Sequence, residues 1–217
     1  MKAWVVVTTD GKKRLDWQEV ADLRPGPEDL LIAVKAAGCN RADQGLNAGH
    51  YERVRYDLPA PIAGLEMAGE VIGVGADVKG FKIGDRVFGM TSGGFAEQAL
   101  IRYQLALRVP DGMSWEDAAA IPVSFMTAHD GLVTNGRLKR GDAVLIQGAS
   151  SAAGIAAIQI AKRFGARKVI GTAGTADKLR TLADRFGLDV GIDYKTESFA
   201  DRVLAATDGA GVDVVLD

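Results

Sequence analysis

The residues best suited to chemistry form a turn of small residues, Gly148-Ala149-Ser150-Ser151-Ala152-Ala153-Gly154. An apolar run, Ala143 to Ile146, precedes this turn, and apolar residues at helical spacing follow it as far as Phe164. Small side chains let backbone N–H groups come close to a phosphate, and the positive end of a helix dipole would lie behind them. The spacing differs from Gly-x-Gly-x-x-Gly, so a strand–helix turn that binds nothing remains the alternative.

If the turn binds a dinucleotide, the residues after the next strand distinguish NAD from NADP at the adenosine ribose, and these are the second group of candidates. A site for NAD places Asp or Glu at the end of this strand, next to the ribose 2′-hydroxyl. Here the strand ends at residues 171–175 without an acid, and Asp177 already falls at a helix start, where a capping role is simpler. Lys178 follows in the helix start and Tyr194 stands just beyond the third predicted strand, and they offer an ammonium and a phenol, which suit a 2′-phosphate. The sequence therefore predicts NADPH, with a solvated lysine and a packed rim tyrosine as the alternatives.

Composition excludes several classes of function. The chain has 217 residues, of which 47% are hydrophobic and 25% charged, with a net charge of −2 and no basic block, so nucleic acid is not expected as a partner. Its one cysteine forms no internal disulfide. No stretch is long enough to span a bilayer and no signal peptide is recognisable, so a cytoplasmic location is expected.

The order of elements predicts two domains. Short apolar strands such as Leu30 to Ala37, broken by glycine turns, indicate a β-rich module up to about residue 110, with a loop over residues 38–60. From Ala143 strands and helices alternate, which is typical of a parallel sheet covered on both faces. We expect domains at 1–120 and 121–217. A Rossmann domain of about six strands would extend beyond the fourth predicted strand, Val212 to Asp217, so the sequence predicts a fragment.

Several segments together carry a family resemblance. They are GCNRAD (38–43), NAGHY (47–51), PAPIAGLEMAGEVIGVG (59–75), KIGDRVFG (82–89), GGFAEQ (93–98), TAHDGL (127–132), GASSAAGIAAIQIAKRFGA (148–166) and VIGTAGTADKL (169–179). In this order they resemble the medium-chain dehydrogenase/reductase superfamily, and within it the zinc-free quinone oxidoreductases related to zeta-crystallin. The resemblance implies a GroES-like β-barrel module followed by a partial Rossmann doubly wound parallel sheet. Full-length members of the family are commonly homodimers.

The resemblance also implies an enzyme without a metal. Zinc alcohol dehydrogenases of the superfamily have cysteine at the position of Asn40 and histidine at the position of Leu65. An amide and a leucine do not replace a thiolate and an imidazole as zinc ligands. Cys39 is offset by one residue, and we expect it to be a small buried residue.

The same resemblance assigns roles to the candidate residues. It places Asn40 near the nicotinamide, Tyr51 over the cleft beside the cofactor, and Thr127 near the carboxamide. It implies that the pyrophosphate is bound by Ser150, Ser151, Ala152, Ala153 and Gly154, and that the 2′-phosphate is bound by Gly174, Lys178 and Tyr194. Ser151 and Ala152 replace two glycines of the usual family turn. Because both disfavour positive φ, weaker cofactor binding is a hypothesis.

The predicted reaction is hydride transfer from NADPH to a quinone or a similar conjugated carbonyl. Asn40 and Tyr51 are the candidates to donate a hydrogen bond to the acceptor oxygen, where charge develops. An asparagine that only forms a loop turn is the alternative for Asn40. An enoyl or alkenal reductase is the rival in chemistry. A non-catalytic NADPH-binding or structural protein, like a crystallin, is the rival from another class.

Overall fold

The computed structural model describes residues 1–44 and 58–217, and an antiparallel sheet of five strands organises the first part of this chain. The sheet has the order β6-β3-β4-β5-β7, and every neighbouring pair is antiparallel. Its strands are β3 (Asp29–Ala37), β4 (Glu66–Val74), β5 (Arg86–Met90), β6 (Gln98–Arg102) and β7 (Leu107–Arg108). The sheet belongs to a unit that covers Met1–Val123, and a second unit covers Ser124–Asp217.

The core of this sheet follows from the period-two pattern of the sequence, because alternate residues of a strand point to the same face. On β3, Leu30 and Ile32 are fully buried, and they pack with Met67, Val71 and Ile101 from the strands on either side. A hairpin of β1 (Lys2–Thr9) and β2 (Lys12–Glu19) turns at Asp10 and Gly11, both with positive φ, as a tight two-residue hairpin turn requires.

Short helices follow these strands in the chain. The helices α1 (Arg41–Gln44) and α2 (Trp115–Ala119) belong to the first unit, whereas α3 (Pro122–His129) begins there and continues into the second unit, where a π-helical segment, Asp130–Asn135, follows it. Ser114 caps α2, because its Oγ accepts the Asp117 N–H at 3.0 Å. The helix α1 lies in a segment that we predicted as loop, since four residues are too few to show a helical period.

The second unit is built on a parallel sheet with the order β10-β9-β8-β11. In chain order this is 3-2-1-4, the first four strands of a Rossmann arrangement. Its strands are β8 (Ala143–Ile146), β9 (Lys168–Ala173), β10 (Val190–Asp193) and β11 (Val214–Leu216), and its helices are α4 (Ala152–Arg163), α5 (Ala176–Phe186) and α6 (Phe199–Ala206). The antiparallel and parallel sheets together confirm the predicted fold class.

Burial explains why β8 reads as a continuous apolar run. All four of its residues are buried, because helices cover both faces of a parallel sheet. The face of α4 that carries Ala157, Ile158 and Ala161 belongs to the same core as Val144 and Ile146. Over residues 1–44 and 58–217, no helix is long and apolar enough to cross a membrane.

Candidate active site

The predicted phosphate turn joins β8 to α4 and is closed by its own serine. Ser151 is the N-cap of α4: its Oγ accepts the Gly154 N–H at 3.0 Å, and its own N–H donates to the Gly148 carbonyl at 2.9 Å. Ser151 has φ −75° and ψ 164°, an ordinary extended conformation, whereas Gly148 has φ 57°. The backbone reason for weaker cofactor binding at Ser151 is therefore not present, because the left-handed position falls on a glycine.

Two further contacts hold this turn against α4 and β9. A Cβ atom at Gly154 would lie 2.6 Å from the Ala149 Cα, so only glycine lets α4 approach the turn this closely. The buried Thr172 ties the turn to β9, since its Oγ1 accepts the Gly148 N–H and its carbonyl accepts the Ala149 N–H. The first N–H groups of α4, on Ala152 and Ala153, have no partner within a helix. The turn thus fits a pyrophosphate on the helix N-terminus.

The end of β9 gathers the residues predicted for the 2′-phosphate. A Cβ atom at Gly174 would lie 3.0 Å from both the Tyr194 Oη and the Lys195 Cε. Tyr194 is 54% exposed, and Lys178 is exposed in the first turn of α5. Lys195 was not selected from the sequence, although it follows Tyr194 directly. Two ammonium groups and a phenol therefore surround Gly174 or lie in the adjoining helix turn.

The cap of α5 differs from the expectation. Thr175 caps this helix, because its Oγ1 accepts the Lys178 N–H at 3.4 Å. Asp177, which we expected to act as the cap, instead pairs with Arg180 at 3.3 Å on the exposed side of the helix. The threonine takes this role because it lies one residue before the helix, in extended backbone.

A polar cluster in the first unit contains the other candidate, Asn40. Its Nδ2 donates to the Glu66 Oε1 at 2.7 Å, and its backbone N–H donates to the Asp43 Oδ2 at 2.6 Å. The Glu66 Oε2 accepts the Val123 N–H at 2.8 Å. Glu66 is 3% exposed and Asp43 is 9% exposed, so both carboxyl groups lie inside the protein.

Burial shifts the acidity of both carboxyl groups. Desolvation raises the pKa of Glu66, and the bonds from Val123 and Asn40 oppose this, while the charge of Asp43 adds to it. Desolvation likewise raises the pKa of Asp43, against the bond from the Asn40 backbone. The Asp43 Oδ1 is buried without a hydrogen-bond partner among the described residues. Burial therefore makes both carboxyl groups of the cluster harder to ionise than they would be in water.

The other residues predicted for the site have no hydrogen bond described above. Ser150 is half-buried in the phosphate turn, and Thr127 is exposed on α3. Tyr51 lies outside the described residues. Cys39 is exposed, so the expectation of a buried residue was wrong: it occupies the loop between β3 and α1. Within the described ranges, no group of three or more His, Cys, Asp or Glu side chains could hold a metal ion.

An apolar pocket of about 540 Å³ also lies in the first unit, and sequence reasoning had not singled it out. Trp4 and Trp17 line it with ring centroids 5.2 Å apart, and both are nearly half exposed. Val34, Phe95 and the exposed Cys39 contribute to the same wall. The register of the hairpin, which pairs Trp4 with Trp17, is the signal that would have indicated it.

Family models match both parts of the chain. The alcohol dehydrogenase GroES-like domain matches residues 26–111, and the family described as zinc-binding dehydrogenase matches residues 152–217. Quinone oxidoreductase-like protein 2 of Rattus norvegicus is 35% identical over 213 residues, which cover 97% of this chain and 60% of the rat protein. The chain thus spans less than two thirds of that relative.

Solved structures agree in fold and in family. A quinone oxidoreductase of Pseudomonas syringae has a TM-score of 0.85 at 31% identity, over 100% of this chain and 66% of that chain. A mycobacterial protein solved with NADPH has a TM-score of 0.85 at 33% identity, with coverage of 100% and 66%. CurK enoyl reductase has a TM-score of 0.83 at 30% identity, with coverage of 94% and 62%. With both family models matched in order, the chain belongs to the medium-chain dehydrogenase/reductase superfamily, in its quinone oxidoreductase branch.

Proposed function

We propose that this chain is part of an NADPH-dependent, zinc-independent oxidoreductase that reduces a quinone or a similar conjugated carbonyl. The observation that carries the proposal is the group at the end of β9. There Gly174 lies against Tyr194 and Lys195, Lys178 follows in α5, and the strand ends without an acid. This donor set suits a 2′-phosphate, since ammonium and phenol groups donate to phosphate oxygens. The NADPH in the mycobacterial relative is consistent with it.

The two domains take different parts in the proposal. Residues 121–217 bind the cofactor, with residues 150–154 at the pyrophosphate and Thr127 at the carboxamide. Residues 1–120 bind the acceptor. Bound NADPH supplies the hydride, and the protein supplies orientation and exclusion of water.

Asn40 has the clearest chemical task in the first domain. Its Nδ2 keeps one N–H after the bond to Glu66, and a neutral donor stabilises charge that develops on an acceptor oxygen. Tyr51 is a second proposed donor. The proposal needs no zinc, because Asn40 and Leu65 occupy the positions where zinc relatives have ligands and neither side chain is a zinc ligand.

The test is NADPH consumption with a panel of quinones and a panel of enoyl thioesters. Faster turnover of quinones, unchanged after dialysis against a chelator, is the expected result. The resemblance to CurK enoyl reductase favours enoyl thioesters as the second candidate, and preferential turnover of these would establish it. Tight NADPH binding without turnover of any acceptor would instead indicate a binding or structural protein. Loss of activity with the chelator would contradict zinc independence.

A further inference from the structure

We propose that Glu66 is a positioning residue, whose buried carboxylate fixes the orientation of the Asn40 side chain and joins it to the first turn of α3. The inference rests on the proposed function only for the use of Asn40 in reduction. The geometry itself is independent of the reaction, so the two can fail separately.

Each oxygen of the Glu66 carboxylate has its own donor. Oε1 accepts from the Asn40 Nδ2 at 2.7 Å and Oε2 accepts from the Val123 N–H at 2.8 Å. Both distances are in the range of strong hydrogen bonds to an ionised acceptor. Because Glu66 is only 3% exposed, water does not compete effectively for either oxygen.

The carboxylate decides which end of the Asn40 amide faces inward. An ionised carboxylate only accepts, so the NH₂ end must face Glu66 and the carbonyl oxygen must face away. The backbone on both sides is also held, since the Asn40 N–H donates to Asp43 and the Asp43 N–H donates to the Asn40 carbonyl at 3.0 Å. Asn40 therefore presents one N–H and its Oδ1 in a fixed arrangement.

The other oxygen places the same carboxylate at the start of a helix. Val123 is the second residue of α3, where backbone N–H groups lack partners within the helix and the dipole favours negative charge. Gly38 makes room for this arrangement: a Cβ atom there would lie 2.7 Å from the Ala119 carbonyl and closer still to the Glu66 carboxylate. A glutamate from β4 thus replaces the usual capping side chain and connects Asn40 with α3.

The first test is an NMR measurement on the full chain. We expect one Asn40 side-chain amide proton to be shifted downfield and protected from exchange with water. Glu66→Gln should reduce both properties, because glutamine is neutral and its single accepting oxygen can serve Asn40 or Val123 but not both. Glu70→Gln, on the same strand, is the matched control and should change neither. Unchanged Asn40 amide signals in Glu66→Gln would overturn the proposal.

The second test is a double-mutant cycle on turnover. Glu66→Gln should lower kcat about tenfold with little change in the KM for NADPH, equivalent to about 1.4 kcal/mol. In an Asn40→Ala background the same change should cost nothing further, because residues that act as a unit are not additive. An equal tenfold loss in both backgrounds would show a purely structural role. If the wild-type chain consumes no NADPH with any acceptor, the proposed function fails, and the NMR result still decides the position of Asn40.

Discussion

Asp43 shows what a buried carboxyl group contributes to stability. Its Oδ1 has no partner in the part of the chain that the structure describes, and burial raises its pKa. The folded protein therefore binds a proton here more readily than the unfolded chain does. Stability should increase as the pH falls through the raised pKa and decrease as the pH rises through it, and Glu66 adds the same dependence.

Replacing this group should stabilise the protein at neutral pH. Asp43→Asn removes a buried charge that lacks a full set of hydrogen-bond partners. We expect the free energy of unfolding to increase by about 1 kcal/mol and the midpoint of thermal unfolding to rise by a few degrees. The gain should shrink towards about pH 4, the ordinary pKa of Asp, where the wild-type group is also protonated. Thermal unfolding across this range measures it, with the exposed Asp111→Asn as control. A gain independent of pH would contradict the explanation.

Lys195 provides the sharpest residue-level test of cofactor choice. Because its side chain reaches Gly174 beside Tyr194, Lys195→Ala should weaken NADPH binding about tenfold and leave NADH binding unchanged. Lys178→Ala should act in the same sense. Arg180→Ala is the control, since this exposed arginine pairs with Asp177 in the same helix. Equal losses for both cofactors would show that the lysine does not select the 2′-phosphate.

At the scale of elements, the helix α4 depends on one glycine. Gly154→Ala would force a Cβ to within 2.6 Å of the Ala149 backbone, so α4 must move away from the turn. We expect a loss of about 2 kcal/mol in stability, the typical cost of overpacking, together with weaker NADPH binding. Chemical denaturation and a binding titration measure the two effects. Gln159→Ala, exposed on the same helix, should change neither by a measurable amount.

Regular elements were predictable because their patterns are long or strictly periodic. The sequence placed β3 at Leu30 to Ala37 and the structure starts it one residue earlier, while β8 agrees at both ends. The helix α1 was missed because four residues carry no period, and the π-helical segment was missed because it continues directly from α3 without a pattern of its own. Local periodicity therefore predicts regular strands and helices, but it does not predict short or irregular helical segments.

The candidate site was predictable only where the chain itself brings residues together. The phosphate turn is contiguous, so residues 150–154 could be selected from their small side chains and their place between an apolar strand and a helix. The bond between Glu66 and Asn40 depends on where β4 begins relative to a loop 26 residues earlier, and no local pattern carries that information. Lys195 was missed for a related reason, since a lysine in a turn after β10 has many possible directions and only the fold turns it towards Gly174.

At the scale of the whole molecule, the chain contains two units with different composition. All three tryptophans, Trp4, Trp17 and Trp115, belong to the first unit, whereas the proposed cofactor residues belong to the second. Tryptophan fluorescence therefore reports directly on the first unit alone. Cofactor binding is better measured as heat, and a thermal shift gives an independent check, because a ligand at about 100 times its Kd stabilises its unit by about 2.7 kcal/mol.

Calorimetric titration of the chain with NADPH and, separately, with NADH tests the central claim most directly. We expect saturable binding of NADPH at least about tenfold tighter than that of NADH, because Tyr194, Lys178 and Lys195 are the proposed donors to the 2′-phosphate, which NADH lacks. Equal affinities, or tighter binding of NADH, would contradict the assignment of these residues and with it the proposed cofactor.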